Sequence, residues 1–189
     1  MIGLMTATRK TALPAAAFLL AMIVMCGVAY GSVRTQVVLT AGSSLDITDP
    51  AVGDFGGILL NGAAQQATAT MTNVRVTDPR GTGEGWHVTI QASQFTDQTT
   101  LKTLPLHSLC MAALSVAQHD SSSSDLPTLQ DGPFYIDDHS AVQIASAAVG
   151  DGMGSYDFTP DAGLTLSVGA NASVGTYTST VTVSVVAGP

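Results

Sequence analysis

Between Val76 and Phe95 the chain reads VTDPRGTGEGWHVTIQASQF, a glycine-rich turn that delivers the only tryptophan into a run of strict alternation. In that run Trp86, Val88, Ile90 and Ala92 fall on one side and His87, Thr89 and Gln91 on the other. This is the period of two of a half-buried strand, so the stretch commits the chain to a sheet. Trp86 is in phase with Val88 and Ile90, which fits a core brace of the kind tryptophan supplies in sandwiches. Its flat, amphipathic ring fits a ligand-contact surface as well, and spacing alone leaves both readings open.

The remainder of the chain repeats this grammar. Short apolar runs rich in Val, Thr, Ser and Ala are broken by Gly, Pro, Asp and Asn, and no long amphipathic helix is evident. Strands are predicted at Arg34 to Thr40, Leu45 to Thr48, Thr68 to Thr77, Trp86 to Ser93, Phe134 to Ile136, Val142 to Ala147, Gly154 to Phe158, Leu164 to Val168 and Tyr177 to Val186. Turn chemistry at Asp49-Pro50, at Asp78 to Gly81, at Gly132-Pro133 and at Thr159 to Gly163 separates them. His107 to Val116 reads as a short helix or a buried strand, which periodicity cannot separate. Gln118 to Gly132, with Ser121 to Ser124 and several acids, reads as an exposed, mobile loop. No repeat of fixed period occurs. The expected architecture is all-β: one β-sandwich-like domain of short, mostly antiparallel strands with long loops, occupying residues 32–189.

Residues 1–31 have the order of a secretory signal peptide: Arg9 and Lys10, an apolar run from Ala12 to Val28, then small residues around Ala29 to Gly31. Cleavage is expected after Gly31 or Ala29. The apolar run is shorter than the ~20 residues of a bilayer span, so no stable membrane span is expected after cleavage. Beyond residue 31 the chain carries four basic residues, Arg34, Arg75, Arg80 and Lys102, against fourteen acids, a net charge of about −10. Four scattered cations cannot release counterions from a polyphosphate, so nucleic acid is excluded as a partner and anionic membranes are disfavoured. Cys110 is then the only cysteine, no intrachain disulfide is available, and Cys110 reads as a small buried hydrophobe.

No catalytic, metal or cofactor site is expected. The histidines at 87, 107, 119 and 139 fit no zinc spacing, and Asp137-Asp138-His139 reads as a solvated loop edge. There is no calcium loop, no Gly-x-Ser-x-Gly elbow and no Cys/His pair in recognisable context. The glycines from Gly81 to Gly85 lead into a strand with no lysine placed to reach a phosphate, so they form a turn rather than a phosphate cradle.

The segment Thr77 to Trp86, TDPRGTGEGW, resembles the proximal motif of the WxL cell-surface domain of Gram-positive bacteria, with Trp86-His87-Val88 carrying valine in place of leucine. Gly175 to Val185, GTYTSTVTVSV, is similar to the distal segment of that family, Gly-x-Tyr-x-x-x-[Ile/Val]-x-Trp-x-Leu. Tyr177 and Val181 match, whereas Val183 and Val185 stand where tryptophan and leucine are expected. Gly152 to Phe158 and Leu164 to Val168 follow the order of the family between the motifs, so the resemblance spans about Thr68 to Pro189. It implies a secreted protein at the cell surface or cell wall, attached non-covalently to peptidoglycan or another wall polymer, with other surface proteins of the same cluster as further partners. The ligand-contact residues it implies are Trp86, His87, Val88, Tyr177, Val183 and Val185. A second expectation, from an acidic Thr/Val-rich sandwich with a long terminal strand, is a pilus or fibre subunit that assembles by strand addition.

Overall fold

The computed structural model describes residues 36–189 except 73, 122, 161 and 162 and the side chain of 160. The chain divides into two units, Met1–Val38 and Leu39–Pro189, and all the strands named below belong to the second. The expected signal segment, residues 1–31, lies outside the described residues.

Sixteen strands are described: β1 (Asp46–Ile47), β2 (Ala51–Val52), β3 (Gln65–Ala69), β4 (Met71–Thr72), β5 (Val74–Asp78), β6 (Trp86–Ala92), β7 (Thr96–Asp97), β8 (Leu109–Met111), β9 (Leu114–Gln118), β10 (Thr128–Leu129), β11 (Phe134–Tyr135), β12 (Val142–Ala147), β13 (Gly154–Pro160), β14 (Leu164–Val168), β15 (Tyr177–Thr178) and β16 (Val181–Ala187). The fold is all-β, and every described strand pairing is antiparallel.

Three sheets run in the orders β1-β5-β13-β9, β10-β12-β6-β16 and β11-β8-β14-β3, with the short pairs β15-β7 and β2-β4 beside them. The first two lie face to face. Trp86 on β6 meets Tyr156 and Phe158 on β13 at ring-centroid distances of 5.9 and 6.2 Å, the edge and tilted geometries that aromatic quadrupoles favour. The third sheet continues the first, because β3, β4 and β5 succeed one another along the chain, as do β8 and β9, and β13 and β14. Ile136 ties the layers at one end: its N–H donates to the Leu109 carbonyl and its own carbonyl accepts from Ala92 N–H at 2.6 Å.

Alternation sets the core. Residues of β6 read buried and half-buried by turns from Trp86 to Ala92, as do those of β5. Val74, Val76, Val88, Ile90, Met111, Ile144, Tyr156 and Leu164 join Trp86 inside. Each such aliphatic side chain contributes about 1.5–3 kcal/mol on burial, which is how a unit with a single free cysteine holds itself without a bridge. A bulge between Gln143 and Ala145 places Ile144 as an extra residue of β12, and that residue is buried.

The structure settles one open sequence reading and corrects several others, among them the strand predicted at Thr68 to Thr77, which is divided among β3, β4 and β5. Residues 36–40 of the predicted first strand are exposed and form no strand. The open segment His107 to Val116 holds the strands β8 and β9. The expected loop Gln118 to Gly132 contains β10 and the buried Pro127, and two of its serines are hydrogen-bonded: Ser123 Oγ accepts from Ser155 N–H at 3.0 Å, and Ser124 Oγ lies 2.9 Å from the Tyr156 hydroxyl and accepts from Met153 N–H at 3.0 Å. The C-terminal strand is two strands, because at Ser179 and Thr180 the chain leaves β7 for β6, held there by Thr180 N–H donating to Ser93 Oγ at 2.9 Å. Cys110 is half-buried rather than buried, since it alternates with the core residues Leu109 and Met111; desolvation, followed by the nearby Asp137 charge, pushes its thiol above the ordinary range.

Candidate functional site

The glycine-rich turn between β5 and β6 is an ion-paired clamp. Asp78 ends β5 fully buried and accepts from Arg80 at both oxygens, Nε to Oδ1 at 2.8 Å and Nη2 to Oδ2 at 2.9 Å. The same guanidinium reaches Glu84 Oε2 at 3.0 Å and the Gly85 carbonyl at 3.1 Å, so one arginine spans the turn. Hydrogen bonding from Arg80 holds the Asp78 carboxyl below the usual carboxylate range against the opposing effect of burial. Gly85, at φ 73°, has no room for a side chain, since a Cβ there would collide with the Ala147 carbonyl.

This clamp delivers Trp86 into the core. Its indole is 0% exposed and its Nε1–H donates to the Gly152 carbonyl at 2.8 Å, the partner a buried tryptophan needs. Gly152 lies so close that a Cβ would stand 2.6 Å from Nε1. Of the two sequence readings of Trp86, the geometry is that of the brace, and Val88 is equally buried. Neither side chain presents surface to a ligand in this conformation, because both point between the layers.

The other candidates occupy three different places. Val183 and Val185 face inward from β16, opposite Ile90 and Val88, and are half-buried because β16 is the edge of its sheet. Tyr177 borders two adjoining cavities of about 600 and 370 Å³, which also share Asp54, Phe55 and Phe95. His87 lies on the outer face of the sheet, where its Nδ1 is 2.8 Å from the Gly188 carbonyl.

The cleft beside Tyr177 depends on residues the sequence reading did not single out. Phe55 and Phe95 meet edge to face at 5.9 Å, and Ile58, Leu60, Leu104 and Val168 line the larger cavity. Asp97 lies behind the cleft and holds two of its lining residues, Gly175 and Tyr177. It is buried, accepts from Thr99 N–H at 2.8 Å and Thr100 N–H at 3.2 Å, and packs so tightly on Gly175 that a Cβ there would collide with it. Those amides, together with a weaker contribution from Thr176 N–H, hold its carboxyl below the ordinary range. The Gly-Thr-Tyr spacing of the distal segment thus has a local cause: glycine clears Asp97, and Tyr177 pairs with it across β15 and β7. The only available signal was Asp97-Gln-Thr-Thr, a side-chain turn pattern.

The Asp137 expectation is overturned. Asp137 is 0% exposed, and its Oδ2 accepts from Ser108 N–H at 2.9 Å and Leu109 N–H at 3.1 Å, capping the left-handed residue His107. Asp138 and His139 do lie outside, with His107 Nε2 3.1 Å from Asp138 Oδ1. The fourth histidine, His119, pairs with Asp157 on the opposite sheet.

The two outer faces of the sandwich differ in charge. Strands β1, β5, β13 and β9 expose Asp46 and the Arg75–Asp157 pair at 2.6 Å, with His119 adjoining. Strands β10, β12, β6 and β16 contain no Asp, Glu, Lys or Arg at all. Their outer rows read Thr128, Ser146, His87 and Val186, then Gln143, Thr89 and Ser184, then Gln91 and Thr182.

Fold and site together define an antiparallel β-sandwich module, braced by a tryptophan hairpin, with an aromatic cleft beside its C-terminal strands. Residues 57–189 match the family described as WxL domain surface cell wall-binding, and the chain belongs to that family. It is therefore a surface domain of the cell-wall-binding kind. No curated protein and no solved structure matches the chain.

Proposed function

We propose that this chain is exported and attaches non-covalently to peptidoglycan, as a binding module without catalysis. The observation that carries the reading is the extent of the family match: it runs from 57 to 189 within a compact unit that starts at Leu39, so most of the folded unit belongs to the wall-binding domain. The charge of about −10 after residue 31 supports it by removing polyphosphate partners. The order of residues 1–31 supports export. Purified exported protein added to bare peptidoglycan sacculi is expected to sediment with them, to resist high salt and to be released by a chaotrope. Protein that stays in the supernatant at every sacculus concentration overturns the reading.

A second reading, a fibre subunit that grows by strand addition, draws on β16, which has a strand partner on one side only among the described residues. Filaments seen by electron microscopy without any sedimentation on sacculi would select it.

A further inference from the structure

We propose that the outer face of the sheet β10-β12-β6-β16 is the surface laid against the wall, and that its occupant is the uncharged glycan strand of peptidoglycan. This rests on the wall-binding reading above and adds to it the place of contact and the chemistry of the ligand.

The first argument is an inventory of groups. Thr89, Gln91, Gln143, Ser146, Thr182 and Ser184 share this face, and no side-chain hydrogen bond engages any of them among the described residues. Each hydroxyl or amide both donates and accepts. A glycan strand carries the same two-way groups, hydroxyls and acetamides, so either partner can adjust to the other. Rows two residues apart along a strand are about 7 Å apart and neighbouring strands about 4.8 Å, which makes a regular, nearly flat grid of such groups. Val186, 50% exposed beside His87, adds an apolar spot for the face of a sugar ring.

The second argument is charge. This chain has fourteen acids, yet none falls on these four strands, while the opposite sheet carries Asp46 and Asp157 outward. A carboxylate pressed against an uncharged polymer with no cation to pair it is costly to desolvate, so a face without acids suits an uncharged occupant. The same face lacks Lys and Arg, which rules against a polyphosphate occupant. It also lacks the tryptophan, tyrosine and arginine anchors that protein partners bury, which rules against a protein. The larger cavity beside Tyr177, by contrast, is lined largely by apolar side chains.

The test uses the full exported chain and sacculi stripped of anionic polymers. The double variant Gln91→Glu/Gln143→Glu is nearly isosteric and places two carboxylates on the face; Gln66→Glu on β3 is the control. The double variant is expected to lose affinity for sacculi by about tenfold or more, because each new charge is desolvated without a partner. Its thermal midpoint should stay within about 2 °C of the parent, as both side chains lie on the outer face of the sheet, away from the core. Gln66→Glu should bind as the parent does. As a direct readout, soluble oligomers of N-acetylglucosamine should shift the NMR signals of His87 and leave those of His119 unmoved. If the parent sediments and the double variant sediments equally well, this face is wrong while the wall-binding reading stands. Binding only to sacculi that retain their anionic polymers would overturn the glycan as occupant. A parent that fails to sediment removes both proposals.

Discussion

Strands β6 and β16 lie side by side with almost the same alternating pattern, yet the sheet uses them differently. On β6 the inward residues Trp86, Val88, Ile90 and Ala92 are all sealed, whereas the inward valines of β16 are only half-buried. Position in the sheet is the cause. β6 has strands on both sides and the Tyr156 and Phe158 rings above it, whereas β16 has β6 alone as a strand neighbour among the described residues. The two motif segments therefore divide the work. The proximal one locks the layers together, and the distal one borders a cleft and an open edge, where valine at 183 serves in the position of the tryptophan of the family.

The largest expected contrast between them is at Trp86. Trp86→Ala should cost about 3–5 kcal/mol in denaturant unfolding, through lost burial and the cavity left against Tyr156; a loss below about 1 kcal/mol would break the comparison. Arg80→Ala comes next. It strands the Asp78 carboxylate inside the protein and should cost about 3 kcal/mol, while leaving the β16 side of the sheet unchanged in hydrogen exchange.

Acid should then weaken both segments. The Asp78 and Asp97 carboxyls sit below their ordinary range when folded, so their stabilisation is present above about pH 4, the unfolded value, and is lost as pH falls through the lowered folded values. The melting temperature should fall as the pH is taken from about 5 to about 2, and a flat profile there would contradict the clamp. Asp157 shifts in the same direction, chiefly through Arg75, but its side chain is 40% exposed and adds little. Val183→Ala should have the smallest effect, about 1 kcal/mol for a half-buried side chain. A cost equal to that of Trp86→Ala would show that the edge strand is as tightly held as the centre.

Much of the fold was legible where the local pattern and the tertiary environment agreed. Val142 to Ala147 and Leu164 to Val168 form strands over the ranges read from alternation and turn residues, and the strand from Trp86 ends one residue earlier than expected. Agreement failed where long-range partners decided. Nothing local separates Tyr177 and Thr178 from the strand after them; the break comes from Ser93, which takes Thr180 away from the β7 pairing. Ser124 looked like solvated loop because its partners, Tyr156 and Met153, lie far along the chain. Asp137 looked solvated because Asp138 and His139 follow it, and only the fold brings the Ser108 and Leu109 amides to it. Of the candidate site residues, the family resemblance supplied all six, but it could not say that Trp86 and Val88 face inward while His87 faces out beside Val186.

Taken alone, the amino-acid order determined that this is a sheet protein, where its glycine turns fall, and that it is too acidic to hold a polyphosphate, since periodicity, backbone freedom and net charge are properties of neighbouring residues or of simple totals. The tertiary structure decided which alternating strand is central and which is an edge, which aspartates are sealed, and which outer face is free of charge. Those depend on what each strand meets across the sandwich, and residues that meet there are separated by tens of positions along the chain.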